Sequence, residues 1–71
     1  MSAKEMFEEL GYNYCPNEEH FSMCAVAVYR KGLYSIYFDF NKMIDTGCII
    51  IDLPLLKAIN QQCKELGWID E

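Results

Sequence analysis

Basic side chains are scarce in this chain: six Lys and Arg stand against eleven Asp and Glu, for a net charge of −5 and a pI near 4.7. Lys4, Arg30, Lys31, Lys42, Lys57 and Lys64 include one adjacent pair, and that pair sits at a turn signal. Binding to nucleic-acid phosphates or anionic membranes needs clustered cations. No direct nucleic-acid or membrane partner is therefore expected. Histidine is nearly absent as well. His20 is the single copy, and although Glu18 and Glu19 precede it, no serine, cysteine or metal motif completes a catalytic group around it.

Long apolar runs are missing. The longest aliphatic stretch, Cys48 to Ile51, is far shorter than the roughly 20 residues a spanning helix needs. The beginning, with Ser2, Ala3, Lys4 and Glu5, lacks the apolar stretch of a secretory signal, so a reducing cytoplasmic setting is expected. Cys15, Cys24, Cys48 and Cys63 lack the close pairing of structural zinc ligands and read as small buried hydrophobes or free thiols. Asp39, Asp45 and Asp52 lack calcium-loop spacing, and the four glycines are spread out rather than gathered into a phosphate cradle. No metal or cofactor is expected, and no enzyme.

What the chain has in quantity is apolar character, 52% of 71 residues. That is too much for a disordered tail and enough for one small domain, residues 1–71, with apolar surface left over. The aromatics Tyr12, Tyr14, Tyr29, Tyr34, Tyr37 and Trp68 resemble a base-stacking set, but stacking works beside a cationic groove, which is lacking here. They read as core and rim residues.

Ser2 and Glu5 form a capping box that starts a helix over Ala3 to Leu10, with Ala3, Met6, Phe7 and Leu10 on its apolar face. Leu10, Gly11 and Tyr12 stop it. Leu66, Gly67 and Trp68 stop a second helix, which Asp52 caps and Pro54 opens, with Leu55, Leu56, Ile59, Cys63 and Leu66 as its apolar stripe. In each stop a glycine turns left-handed and an aromatic folds back on the last turn, Tyr12 onto Phe7. The phrase is shared punctuation, since no further similarity accompanies it.

Between the helices, Asn13 to Glu19 reads as a loop, and Phe21 to Arg30 with Leu33 to Phe40 as a hairpin turning at Lys31 and Gly32. A loop of two residues, or four, sets Tyr29 opposite Tyr34, Ala27 opposite Ile36, Ala25 opposite Phe38 and Met23 opposite Phe40, with Phe21 on the same, core-facing side, whereas a three-residue loop with a bulge would break this register and the face assignment with it. Asn41 to Gly47 reads as a connection and Cys48 to Ile51 as a third strand. The expected architecture is α+β, order α-β-β-β-α. It is a two-layer sandwich in which two helices cover one face of a three-stranded antiparallel meander. The other face is then left bare, and Val26, Val28, Leu33 and Tyr37 on it form the expected contact surface for a second copy or another protein.

The beginning, AKEMFEELGY (Ala3 to Tyr12), and the end, LLKAINQQCKELGW (Leu55 to Trp68), resemble small proteins of prophages and mobile elements in Gram-positive bacteria. The match covers roughly a third of the chain, and its residues are the helix stripes and stops; it transfers no functional residue. The resemblance implies a helix, a β-meander and a helix ending in Leu-Gly-Trp, a bacterial cytoplasm and a mobile-element origin. On these grounds a non-enzymatic interaction or accessory protein, self-associating as a homodimer, is the leading expectation. The alternative is an acidic inhibitor that occupies the nucleic-acid site of a host or phage enzyme, for which Glu5, Glu8 and Glu9 are the one compact acidic group.

Overall fold

The computed structural model describes residues 1–15 and 25–69. His20, the expected start of a strand at Phe21, Met23 and Cys24 lie outside the described residues. The class is α+β: among the described residues there are two helices and a four-stranded antiparallel sheet. Helix α1 spans Ala3–Glu9, strands β1 Asn13–Tyr14, β2 Ala25–Lys31, β3 Tyr34–Asp39 and β4 Ile44–Asp45, and helix α2 Leu53–Glu65. The strands lie in chain order, β1-β2-β3-β4.

Both helix starts follow from their caps. Ser2 Oγ accepts from the Glu5 amide at 3.1 Å while Glu5 Oε1 accepts from the Ser2 amide at 2.9 Å, closing the capping box. Asp52 Oδ1 accepts from the Leu55 amide at 3.0 Å, and Pro54 occupies the first turn of α2, where its missing donor costs nothing. The helix ends are equally local. After α1, the amide of Gly11 donates to Glu8 O at 3.0 Å and that of Tyr12 to Phe7 O at 2.9 Å; after α2, Gly67 donates to Lys64 O at 3.0 Å and Trp68 to Cys63 O at 2.9 Å. This pair of bonds defines the Schellman stop, which needs a left-handed residue in its middle. Gly11 at φ 94° and Gly67 at φ 77° supply it.

Replacing Gly67 by Ala is expected to cost about 1–2 kcal/mol from left-handed strain, because the added Cβ meets nothing within 4 Å. Gly11→Ala carries the same strain, and its Cβ also presses Lys31 Cε at 3.3 Å, displacing a side chain that lies over the Tyr12 ring. Urea melts of the two variants check this; neutrality of both would refute the stop geometry.

The core lies between the helices and one sheet face. Phe7, Tyr12, Ala27, Tyr29, Ile36, Phe38, Leu55, Ala58, Ile59 and Cys63 form one buried cluster, with Met6, Leu10, Tyr14, Ile49, Leu66 and Trp68 packed on it. Both helices therefore share the face expected of them. The α2 stripe is rotated from the expected one: Ala58 and Gln62 are buried, whereas Leu56 is exposed. The helices are also clasped by a carboxylate. Glu65 Oε2 accepts from the first amide of α1, Ala3, at 2.8 Å and from Gln61 Nε2 at 3.0 Å.

The strands differ from expectation in several ways. The hairpin turns at Gly32 and Leu33, one residue later than expected, so Lys31 faces Tyr34, Tyr29 faces Ile36 and Ala27 faces Phe38. Positive φ falls at Gly32, 63°, the first central position and the signature of a type II′ turn. The register moves by two residues, an even number, so from Ala27 to Lys31 the division into faces is preserved although each expected pair among the described residues is changed. A bulge between Ala25 and Ala27 then adds a one-residue shift that sets Ala25, expected on the core side opposite Phe38, opposite Asp39 on the other face.

The other differences concern the edges and the third strand. Asn13 and Tyr14, expected in a loop, form β1 by pairing with Arg30 and Tyr29. Ile44 and Asp45, expected in a connection, form β4 against Phe38 and Tyr37. The expected third strand, Cys48 to Ile51, is instead the loop that carries the chain from β4 to α2.

Candidate interaction surface

Two local structures meet at one end of the domain. The first is the β2–β3 hairpin tip, where the Gly32 turn holds Leu33 fully in solvent, 100% exposed. The second is the β4–α2 loop. Asp45 Oδ1 accepts from the Gly47 amide at 2.9 Å and the Ile49 amide donates to Thr46 O at 3.1 Å, so the chain reverses directly after β4. A run of three isoleucines must then reach α2 without a strand partner. Ile49 turns inward onto the core, and Ile50 is left 90% exposed.

Between the two structures lies an open groove of about 590 Å³, lined by Leu10, Tyr12, Lys31, Gly32, Leu33, Tyr34, Cys48, Ile49, Ile50, Asp52 and Leu55. Its floor belongs to the core, since Tyr12 and Leu55 are buried there. Its rim carries one charge of each sign. Lys31 Nζ lies 5.4 Å from the centre of the Tyr12 ring, a cation–π contact, while Asp52 caps α2. Burial first and the Asp52 charge second raise the Tyr12 phenol above its ordinary pKa. A second groove of about 480 Å³ shares Gly32, Leu33, Tyr34 and Cys48 with the first and continues past Arg30, Ser35, Tyr37, Asp45 and Thr46.

The residues expected on the contact face are distributed unevenly. Leu33 stands at the tip between the grooves, and Tyr37 is half-buried in the lining of the second. Val26, at the bulge, is 44% exposed, whereas Val28 is 1% exposed. Val28 lies opposite Tyr37, and its carbonyl accepts from the Cys15 amide at 2.9 Å. Ile50 was not expected here, because a continuous aliphatic run reads as a strand buried on both sides. The signal that could have revealed it is Gly47, whose φ of 61° belongs to a turn that delivers the run to the surface.

The described lining of the first groove at this end is mostly apolar. Among the described residues no three His, Cys, Asp or Glu side chains gather in a way that could hold a metal ion. Of the described cysteines, Cys48 is exposed at the groove wall, Cys15 is half-buried with its Sγ 3.5 Å from Asn13 O, and Cys63 is buried, which raises its thiol pKa. Among the described residues no helix is long and apolar enough to cross a membrane. No family model, curated protein or solved structure matches the chain, so its functional reading rests on its own residues.

Proposed function

We propose that this chain is a small non-enzymatic interaction module that works by apolar contact through the end of the domain formed by the hairpin tip and the β4–α2 loop. The observation that carries the reading is the pair Leu33 and Ile50, 100% and 90% exposed on either side of a groove floored by the core. An isolated exposed leucine is ordinary, but two wholly solvated aliphatic side chains framing a concave apolar surface are the arrangement of a contact site. The resemblance of the chain's two ends to small mobile-element proteins supports an accessory role in a bacterial cytoplasm.

The test compares Leu33→Lys with Val26→Lys, on the sheet face expected to be bare. Tagged wild-type protein recovered from its native cell with a bound protein, its own second copy included, should lose that protein on Leu33→Lys and keep it on Val26→Lys. Equal recovery by wild type and Leu33→Lys would overturn the reading. A second reading, an acidic inhibitor of a nucleic-acid enzyme, is favoured by one observation: Glu5, Glu8 and Glu9 of α1 line a shallow hollow of about 360 Å³ with Met1. A Glu8→Gln/Glu9→Gln variant separates the two, since it would abolish inhibition and leave apolar association intact.

A further inference from the structure

We propose that the occupant of the groove beside Leu33 is a second copy of the same chain, docked about a two-fold axis so that the hairpin tip of each copy enters the groove of the other. This rests on the reading of the domain as an interaction module and names its partner. Charge favours a second copy as the occupant. The chain carries −5 overall, and three of its carboxylates, Glu5, Glu8 and Glu9, occupy a separate hollow on α1. Among the described residues, the charges lining the grooves at the hairpin end are matched: Lys31 and Asp52 line one groove, and Arg30 and Asp45 line the other. A lining of matched charge exerts little pull on a strongly basic or acidic partner.

A two-fold axis uses those same charges. In an isologous contact the same patch serves both sides, so a cation and an anion that line one groove can each meet their opposite on the partner. Lys31 of one copy faces Asp52 of the other, twice. Shape agrees with charge, because the patch presents both a projection, Leu33, and a hollow of about 590 Å³ that this residue itself helps line. Ile50 lines the same groove, and in this arrangement it closes over the inserted tip.

Sedimentation velocity on the full chain, from low micromolar to near-millimolar concentration, tests this. The wild type is expected to form a dimer. Ile50→Lys and Lys31→Glu, both at exposed positions, should each weaken it by roughly tenfold or more while leaving the circular dichroism unchanged. The two-fold geometry makes a stricter demand. Lys31→Glu and Asp52→Lys chains, each repelling itself, should associate when mixed, because both charge contacts are then restored in swapped order. Asp52→Lys also removes the α2 cap, so Ile50→Lys decides the matter if that variant fails to fold.

A wild type that stays monomeric throughout, or a dimer indifferent to Ile50→Lys and Lys31→Glu, would overturn the proposal. The dye 1-anilinonaphthalene-8-sulfonate then tells the two failures apart. A monomer that binds it, and loses it on Ile50→Lys, rejects self-pairing but keeps the apolar contact surface. A monomer that never binds it rejects the parent reading too.

Discussion

Phe7→Ala is expected to remove about 3–5 kcal/mol of folding stability, the range for truncating a fully buried aromatic. Phe7 has no solvent exposure and stacks on Tyr29 at 3.9 Å between ring centres, with Tyr12 and Phe38 edge-on at 5.7 and 6.2 Å. Tyr29 and Phe38 meet each other at 6.1 Å, so the missing ring leaves a cavity walled by aromatics that hold one another in place. A wall of this kind collapses poorly. Domains are stable by roughly 0.05–0.15 kcal/mol per residue, so this loss is a large fraction of what a 71-residue chain possesses. In calorimetry it corresponds to a fall in Tm on the order of 20 °C, at about 4–8 °C per kcal/mol for a domain of this size. Leu33→Ala, fully exposed, should stay within about 0.5 kcal/mol of wild type. A Phe7→Ala loss no larger than that of Leu33→Ala would mean that the aromatic cluster is not the core.

Tyr29→Phe is expected to cost about 1–3 kcal/mol although it removes one oxygen atom, because it orphans a buried polar group. The Tyr29 hydroxyl donates to Gln62 Oε1 across the sheet–helix interface, and Gln62 is only 7% exposed. Without the hydroxyl, the amide oxygen keeps its desolvation cost and loses its partner. Replacing both members, Tyr29→Phe with Gln62→Met, should recover most of the loss, since two apolar groups of similar shape need no hydrogen bond. A urea-denaturation double-mutant cycle measures the difference. Additive losses would show that the bond is not what the two residues share.

The same phenol predicts a pH effect. Burial, with smaller contributions from Tyr14, Glu65 and Glu8, raises the Tyr29 pKa well above its ordinary value of 10.0. A group raised in the fold contributes its full stability below its unfolded pKa and loses it as pH rises beyond that value. Stability should therefore decline above about pH 10, the ordinary phenol pKa, and Tyr29→Phe should flatten that decline.

Gln62 also shows where sequence reading stops. The helical stripe of α2 was legible from Leu55, Ile59, Cys63 and Leu66, but a glutamine among them reads as the wet side. It is inside because Tyr29, 33 residues earlier, presents a hydroxyl there. Leu56 shows the converse. It has the right chemistry for the stripe, yet helix packing rotates it outward to 51% exposure. From Ala27 onward the face assignment of the hairpin survived a two-residue change of register, because side-chain direction has period two and an even shift moves pairs without moving faces; at Ala25 the bulge adds a single residue and the assignment fails. The exposed hairpin end was only half legible. Strand alternation put Leu33 and Tyr37 on one face with Val26 and Val28, but Leu33 is fully exposed at the turn, Val28 is buried, and Ile50, taken for a strand residue, is exposed.

The sequence by itself determined the features whose partners lie within a few residues. These are the capping box at Ser2, the Asp52 cap, the glycine stops at Gly11 and Gly67, and the alternation that divides β2 and β3 into faces. Caps and stops are hydrogen bonds between near neighbours, so the residues that make them are written side by side. Tertiary structure alone decided the rest. Strands β1 and β4 are two residues each, too short for any periodicity, and exist because β2 and β3 offer them edges. The Cys48 to Ile51 run has the composition of a strand but connects β4 to α2 as a loop, which brings Ile50 to the surface. Those outcomes depend on which distant backbone is free to pair, and the run of residues in the chain does not encode that locally.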